Sequence, residues 1–253
     1  MYGYYYFDPT YLLLVIGMVL SLLASAKVKS TFSVYSRVRS ASGADAARRI
    51  LRMSGITDVT VVPISGSLTD HYDPGSKKLA LSQDVYDKTS VAAIGVAAHE
   101  CGHAIQHATN YVPLNLRSAI VPVANIGSTL SWPLFLAGLI FSIRPLLTVG
   151  IILFTFAVLF QLVTLPVEFN ASSRALKMLE STGILSCEEN KGAKKVLTRA
   201  LKMLGGSGML GNDEVKGARK VLTAAALTYV AALASSILQL LRLIILAGGR
   251  DRD

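Results

Sequence analysis

The chain reads Ala97-Ala98-His99-Glu100-Cys101-Gly102-His103-Ala104 near its middle, a stretch that contains the pattern HExxH. Its small and apolar residues predict a helix, which we expect to begin near Ser90 and to end near His107. Residues four apart on a helix share a face, so His99 and His103 present two imidazoles to one point, with Glu100 beside them. The stretch therefore predicts a Zn²⁺ site held by His99 and His103, with Glu100 as the base.

The composition is that of a membrane protein. Hydrophobic residues make up 52% of the 253 residues and charged residues only 16%, and the mean hydropathy is +0.48. An ordinary soluble domain has roughly 25% charged residues. The net charge of +9 could indicate a nucleic-acid partner. However, the basic residues lie beside apolar spans and are not interleaved with aromatic residues that could stack on bases, so we expect a lipid bilayer and no nucleic acid.

The two cysteines do not suggest a site of their own. Cys101 and Cys187 lie far apart in sequence and have no CxxC spacing. This spacing indicates neither a disulfide framework nor a thiolate zinc site. Reduced cytosolic thiols are the simpler interpretation.

Four apolar segments are long enough to cross a bilayer. They are residues 11–26, 119–143, 146–167 and 221–247. Ala24-Ser25-Ala26 resembles a signal-peptidase site, but no Lys or Arg precedes the first segment and Lys27 and Lys29 follow it, which favours a retained anchor. Only Arg144-Pro145 separates the second segment from the third, so these two predict a tight transmembrane hairpin.

Lysine and arginine predict the orientation of these spans. Residues 27–117 hold eleven of them and residues 168–220 hold ten, whereas the hairpin connection holds one and residues 221–253 hold three. Cytoplasmic connections of membrane proteins are enriched in both residue types. We therefore expect a multi-pass protein of the cell membrane whose active site faces the cytoplasm. Its N-terminus, hairpin tip and C-terminus then lie outside.

The spans divide the chain into five parts. The segment between the first two spans mixes polar and apolar residues as a soluble domain does. The parts are a transmembrane anchor (1–26), a cytoplasmic catalytic portion with the HExxH helix (27–118), a transmembrane hairpin (119–167), a cytoplasmic helical segment (168–220), and a fourth transmembrane helix with a short tail (221–253). Within the catalytic portion we expect a helix at 43–54, strands at 59–64 and 78–82, and a turn at 73–76. An extended substrate could add to an edge of this small sheet, and 78–82 is the edge we expect.

Catalytic zinc usually has three protein ligands, of which HExxH supplies two. Glu168 is the better candidate for the third, because it follows the third span and so re-enters the cytoplasm where His99 and His103 lie. The alternative is that Glu168 is merely a solvated residue at the end of a span. His107 continues the i+4 series, but one straight helix would deliver all three ligands from one side, so a packing or outer role is favoured. For His71 a structural role near a turn is favoured over a role as ligand or oxyanion donor.

An internal repeat follows the third span. Residues 174–198 recur as residues 199–223, with 16 identities in 25. Two copies are too few for a solenoid, so we interpret the repeat as a tandem duplication of a helical hairpin segment. Ser186 and Glu189 have the spacing of a capping box and predict the start of a helix in the first copy. The repeat carries no ligand chemistry, which favours an insertion on the cytoplasmic face.

Four motifs together resemble the YugP-like family of bacterial membrane zinc metallopeptidases, a zinc-dependent neutral peptidase family related to the HtpX-type peptidases. They are LTDHYDP at 68–74, AHECGHAIQH at 98–107, LPVEFNAS at 165–172 and AAALTYVA at 224–231. The resemblance covers nearly the whole chain. It implies His99, His103 and Glu168 as zinc ligands and Glu100 as the catalytic acid/base. HtpX-type enzymes have an acidic residue four positions after their ligand glutamate, where this chain has Ser172.

The expected fold class is a mainly α membrane protein with about four transmembrane helices and a cytoplasmic zincin-like α+β catalytic portion that carries a small β-sheet. The expected function is that of a zinc metallopeptidase of the HExxH...E gluzincin type. Such an enzyme hydrolyses polypeptides, which could include membrane proteins, by Glu-assisted attack of a zinc-bound water. A protein donor should stabilise the developing oxyanion, and the sequence does not rank the candidates. These are Tyr72, Tyr111, Arg174 and His71.

Two other functions are compatible with the motif. An intramembrane protease of the site-2 type is disfavoured, because the apolar run before His99 has only eight residues and no LDG motif follows. The second alternative is a non-catalytic zinc-binding membrane scaffold. Its support comes from polar residues within the spans, namely Asn125, Gln161 and Arg242. These residues are scattered, and single polar residues in helical bundles more often make packing hydrogen bonds.

Overall fold

The computed structural model describes residues 8–36, 42–182 and 212–248, and the chain divides into two compact units. The helical unit draws on residues 1–26, 112–166 and 227–253, and the mixed unit draws on residues 27–111 and 167–226. In chain order the elements are α1 (Tyr11–Tyr35), α2 (Gly43–Met53), β1 (Thr60–Ile64), β2 (His71–Asp73), β3 (Lys78–Ser82), α3 (Gln83–Tyr86), α4 (Val91–Ala108), α5 (Val112–Ile140), α6 (Arg144–Thr182) and α7 (Asn212–Gly248).

Four of the described helices, α1, α5, α6 and α7, are long and apolar enough to cross a membrane. Many of their large apolar side chains are exposed, as Leu22 is at 62%, and lipid tails rather than water accommodate such a surface. The expected fold class is confirmed: this is a mainly α, multi-pass membrane protein with a small sheet. Helices α1 and α6 continue beyond residues 26 and 167, where the predicted spans end. Hydropathy marks only the apolar part of a longer helix.

The break in the hairpin differs from the expected one. Helix α5 ends at Ile140 and α6 begins at Arg144, so the connection is residues 141–143 rather than Arg144-Pro145. Ser142 takes a left-handed backbone conformation (φ 57°), and the backbone N–H of Ile143 donates to the carbonyl of Gly138. Proline is tolerated in the first turn of a helix, where its missing N–H is not needed, and Pro145 therefore starts a helix here instead of ending one.

Polar residues of the helical unit hydrogen-bond between helices. The Ser235 hydroxyl donates to the Gly17 carbonyl at 2.8 Å, and Gln161 Nε2 donates to Ser236 Oγ at 2.9 Å. Arg242 is also buried. Its Nε donates to Thr10 Oγ1 at 3.2 Å, and its guanidinium lies 4.6 Å from the centre of the Tyr11 ring. Such bonds join helices in an apolar medium.

The mixed unit contains a three-stranded sheet in the order β1-β3-β2. Strand β3 pairs in parallel with β1, from Thr60 opposite Lys78, and antiparallel with β2, where Tyr72 lies opposite Leu79. The expectation that residues 78–82 form an edge is therefore wrong, because β3 is the central strand and has a neighbour on each side. The edges are β1 and β2, and β2 was not predicted.

The core of the mixed unit forms around α4. Ser90 caps this helix, its hydroxyl accepting from the Ala93 N–H at 3.1 Å. Helix α2 packs its Ile50 and Leu51 into the core while its arginines stay exposed. Much of α4 is made of small residues, so neighbouring elements approach it closely and the helix carrying HExxH is mostly buried.

Candidate metal centre

The side chains of His99 and His103 project from one face of α4 toward Glu168 of α6. Gly102 lies between the two histidines in the motif, and a Cβ at this position would overlap the carbonyl oxygen of Ala171 on α6. Only glycine therefore permits the two helices to come this close. The short distance between them brings the Glu168 carboxylate, which is 3% exposed, to both imidazoles.

The Glu168 oxygen lies at distances from both imidazoles that are close to those between ligands of a tetrahedral zinc ion. His99 Nε2 lies 3.2 Å from Glu168 Oε2, and His103 Nε2 lies 3.6 Å from the same oxygen. All the donor atoms of the group fall within 4.8 Å of one another. Zinc bonds of about 2.0–2.2 Å place two tetrahedral ligands roughly 3.3–3.6 Å apart. Two imidazoles and a carboxylate are also a donor set that zinc accepts, so the group fits the metal.

The ring nitrogens that face away from this point are held by side chains. His99 Nδ1 lies 3.1 Å from Ser172 Oγ, and His103 Nδ1 lies 3.0 Å from Gln106 Oε1. Metal-bound histidines usually donate their other N–H to such a partner, which fixes the ring. Ser172 thus occupies a position beside the histidine even though it is not acidic.

Electrostatics around His103 are dominated by carboxylates. Burial alone would lower the pKa of His103, but the adjacent Glu168 carboxylate and the nearby charge of Glu100 raise it. Glu100 itself is buried, with 8% of its surface exposed. A negative environment of this kind favours any positive charge at the imidazoles, and a bound cation would supply such a charge.

The remaining histidines contact other groups. His107 Nδ1 lies 2.9 Å from the Tyr72 hydroxyl, and His71 Nδ1 lies 2.9 Å from the Thr69 carbonyl oxygen with its side chain exposed. Among the described residues the group that could hold a metal ion is His99, His103 and Glu168, and it includes neither of them.

Two oxyanion candidates lie near the partners of His103. The Arg174 guanidinium is 5.7 Å from the centre of the Tyr111 ring, and Arg174 Nε donates to Asn170 Oδ1 at 2.8 Å. Tyr72 is instead bound to His107. Cys101 is fully buried, its thiol 3.6 Å from the Ala47 carbonyl, and burial raises the pKa of this thiol.

Sequence reasoning missed two residues of the centre, Gln106 and Asn170. Gln106 Nε2 donates to the Val167 carbonyl at 2.7 Å and to Asn170 Oδ1 at 3.0 Å. The spacing in the sequence pointed to both residues. Gln106 follows His103 by three residues on the same helix face, and Asn170 lies two residues after Glu168. Neither is a ligand type for zinc, and so neither was singled out.

Similarity to known proteins extends over nearly the whole chain. The profile of a family described as "Putative neutral zinc metallopeptidase" matches residues 10–200 and 198–248. A Bacillus subtilis (strain 168) protein named "Putative membrane protease YugP" is 45% identical over 245 residues, which cover 95% of this chain and 98% of that protein. No solved structure matches the chain. The matched residues include all three members of the His99, His103 and Glu168 group.

Proposed function

Because the chain belongs to the neutral zinc metallopeptidase family, we propose that it is an integral-membrane zinc metalloendopeptidase that hydrolyses polypeptides at the cytoplasmic face of the membrane. The observation that carries the proposal is the close approach of His99, His103 and Glu168 on a helix that also bears Glu100. An HExxH pair completed by a glutamate from another helix is the ligand set of the gluzincin type.

The three metal ligands and the base would have different roles in the reaction. His99, His103 and Glu168 would hold the ion, and zinc supplies the acidification of a water molecule and the polarisation of the substrate carbonyl. The Glu100 carboxylate accepts the proton that this water loses and returns it to the leaving amine nitrogen. Because Glu100 is buried beside His99, it has little competing contact with bulk water.

Replacing Glu100 by glutamine tests this assignment. The Glu100→Gln variant keeps the size of the side chain but cannot take up a proton, so hydrolysis of an unstructured polypeptide should fall by about 10²–10⁴-fold while zinc content stays at the wild-type level. Both quantities are measurable on detergent-purified protein. Retained hydrolysis would show that Glu100 is not the base. His99→Ala serves as the control that should lose zinc and activity together.

We also propose the cytoplasmic orientation, which rests on the distribution of lysine and arginine. Segments 27–111 and 167–226 contribute to the same compact unit, which supports a common side for the two most basic parts of the chain. Helix α4 is not among the helices apolar enough to span a membrane, and this supports a site in water rather than one buried in lipid.

Labelling of single cysteines tests the orientation. In a variant lacking Cys101 and Cys187, a cysteine is placed at the exposed Thr89 or at the exposed Phe141 of the hairpin connection. A thiol reagent that does not cross membranes, added to intact cells, should label Phe141→Cys and spare Thr89→Cys. The opposite pattern would place the mixed unit outside the cell.

A further inference from the structure

A chain of hydrogen bonds leads from Arg174 to the ring of His103. Arg174 Nε donates to Asn170 Oδ1 at 2.8 Å, and Gln106 Nε2 donates to the same oxygen at 3.0 Å. Gln106 Oε1 then faces His103 Nδ1 at 3.0 Å. Gln106 is fully buried, so water does not compete for these bonds. The chain joins α6 to α4 directly behind the His99, His103 and Glu168 group.

Each step of this chain has only one possible direction. An arginine Nε can only donate, so the Asn170 atom that faces it must be the oxygen. That oxygen needs a donor from Gln106, which orients the Gln106 amide with its nitrogen toward Asn170. The Val167 carbonyl requires the same orientation independently, because a carbonyl can only accept and it lies 2.7 Å from Gln106 Nε2.

The orientation of Gln106 decides the tautomer of His103. With both N–H groups of the amide engaged, the oxygen is left for His103, and an oxygen accepts only from a protonated Nδ1. The neutral ring then carries no proton on Nε2, whose lone pair is free on the side of Glu168 Oε2. A neutral histidine in this tautomer is ready to ligate a metal through Nε2.

His99 lacks such a constraint. Its Nδ1 partner is the Ser172 hydroxyl, which can donate or accept because its hydrogen rotates. The two histidines therefore differ. The tautomer of His103 is fixed by its surroundings, whereas His99 can take either tautomer.

We propose that Arg174, Asn170 and Gln106 are positioning residues that fix the tautomer of His103 before zinc binds. The inference rests on the proposed function in one respect, namely that His103 is a zinc ligand. Tyr111 completes the arrangement, since its ring lies against the Arg174 guanidinium and its backbone N–H donates to the Gln106 carbonyl at 3.0 Å. The same contacts hold the end of α4 against α6, next to Glu168.

Two substitutions of Asn170 separate this role from simple packing. Asn170→Asp keeps an oxygen that accepts from both Arg174 and Gln106, whereas Asn170→Leu has a similar size and accepts from neither. Gln106→Met likewise fills the space of the glutamine without orienting His103. Lys177→Leu, at an exposed position of α6, is the matched control for a leucine placed on this helix.

The measurement is the zinc dissociation constant of full-length protein in detergent, obtained by competition with a chromogenic chelator. Loss of an outer partner of a metal ligand typically weakens metal binding by about 10–100-fold, and we expect this loss for Asn170→Leu and Gln106→Met. Asn170→Asp and Lys177→Leu should stay near the wild-type value. The visible spectrum of the Co²⁺-substituted protein should change in the first two variants and not in the others.

The possible results separate the two proposals. Zinc binding by the wild type with no difference between Asn170→Leu and Asn170→Asp would overturn the positioning role and leave the metal site intact. A wild type that binds no zinc would overturn the proposed function and this inference together. If Gln106→Met does not fold, the pair at Asn170 decides the question alone.

Discussion

Ser172 contacts one of the two histidines of the candidate metal centre. Its hydroxyl oxygen lies 3.1 Å from His99 Nδ1, one helical turn beyond Glu168 on α6. When the hydroxyl accepts from Nδ1–H, the Nε2 lone pair of His99 is left for an ion. A carboxylate in this place would be a stronger acceptor than the serine hydroxyl.

Removing this hydroxyl should weaken zinc binding. The Ser172→Ala variant leaves His99 Nδ1 without its acceptor, and we expect the zinc affinity to fall by about tenfold, the lower end of the range for outer partners. Competition with a chelator measures the change. Ser173→Ala, at the exposed neighbouring position, is the control and should bind zinc as the wild type does. Equal affinities for the two variants would show that Ser172 does not support the ligand.

At the scale of elements, the contact between α4 and α6 depends on the glycine inside the motif. A Cβ on Gly102 would overlap the Ala171 carbonyl, whereas a Cβ on Gly95 of the same helix would meet Ala218 at 3.5 Å, an ordinary contact distance. The two glycines thus offer a matched pair in one helix. The first is required by the approach of α6, and the second is not.

Alanine at the two positions should have different effects on the free energy of unfolding. Gly102→Ala should lower the free energy of unfolding by about 1–3 kcal/mol, because the added methyl group forces α4 and α6 apart. Gly95→Ala should leave it unchanged or raise it by up to about 1 kcal/mol, since alanine favours the helix. Unfolding of the zinc-free protein in detergent measures both. A stable Gly102→Ala variant would contradict the close packing.

Periodicity predicted the elements that are long and regular, and it missed those that depend on partners distant in sequence. Helix α4, helix α2 and strand β3 follow from hydrophobic spacing. Strand β2 has three residues, too few for a period-two pattern, and it exists because it pairs with β3. The same limit hid Gln106 and Asn170, whose roles come from contacts between α4 and α6 rather than from the spacing within either helix.

At the level of the whole molecule, the internal duplication follows the candidate metal centre in sequence. The repeat begins at residue 174, after all three members of the His99, His103 and Glu168 group. Its first residues belong to α6 and its last to α7, while residues 183–211, which include the predicted cap at Ser186 and Glu189, lie outside the described residues. The two segments matched by the family profile meet at 198–200, where one copy ends and the next begins.

The central claim is that this membrane protein holds zinc through His99, His103 and Glu168. The most direct test is the metal content of the full-length protein purified in detergent, measured by elemental analysis for the wild type and for Glu168→Ala. The claim predicts one zinc ion per chain in the wild type and a clear loss in the variant, with helix content unchanged. A folded wild type that contains no zinc after incubation with the metal, or a variant that retains the full amount, would contradict it.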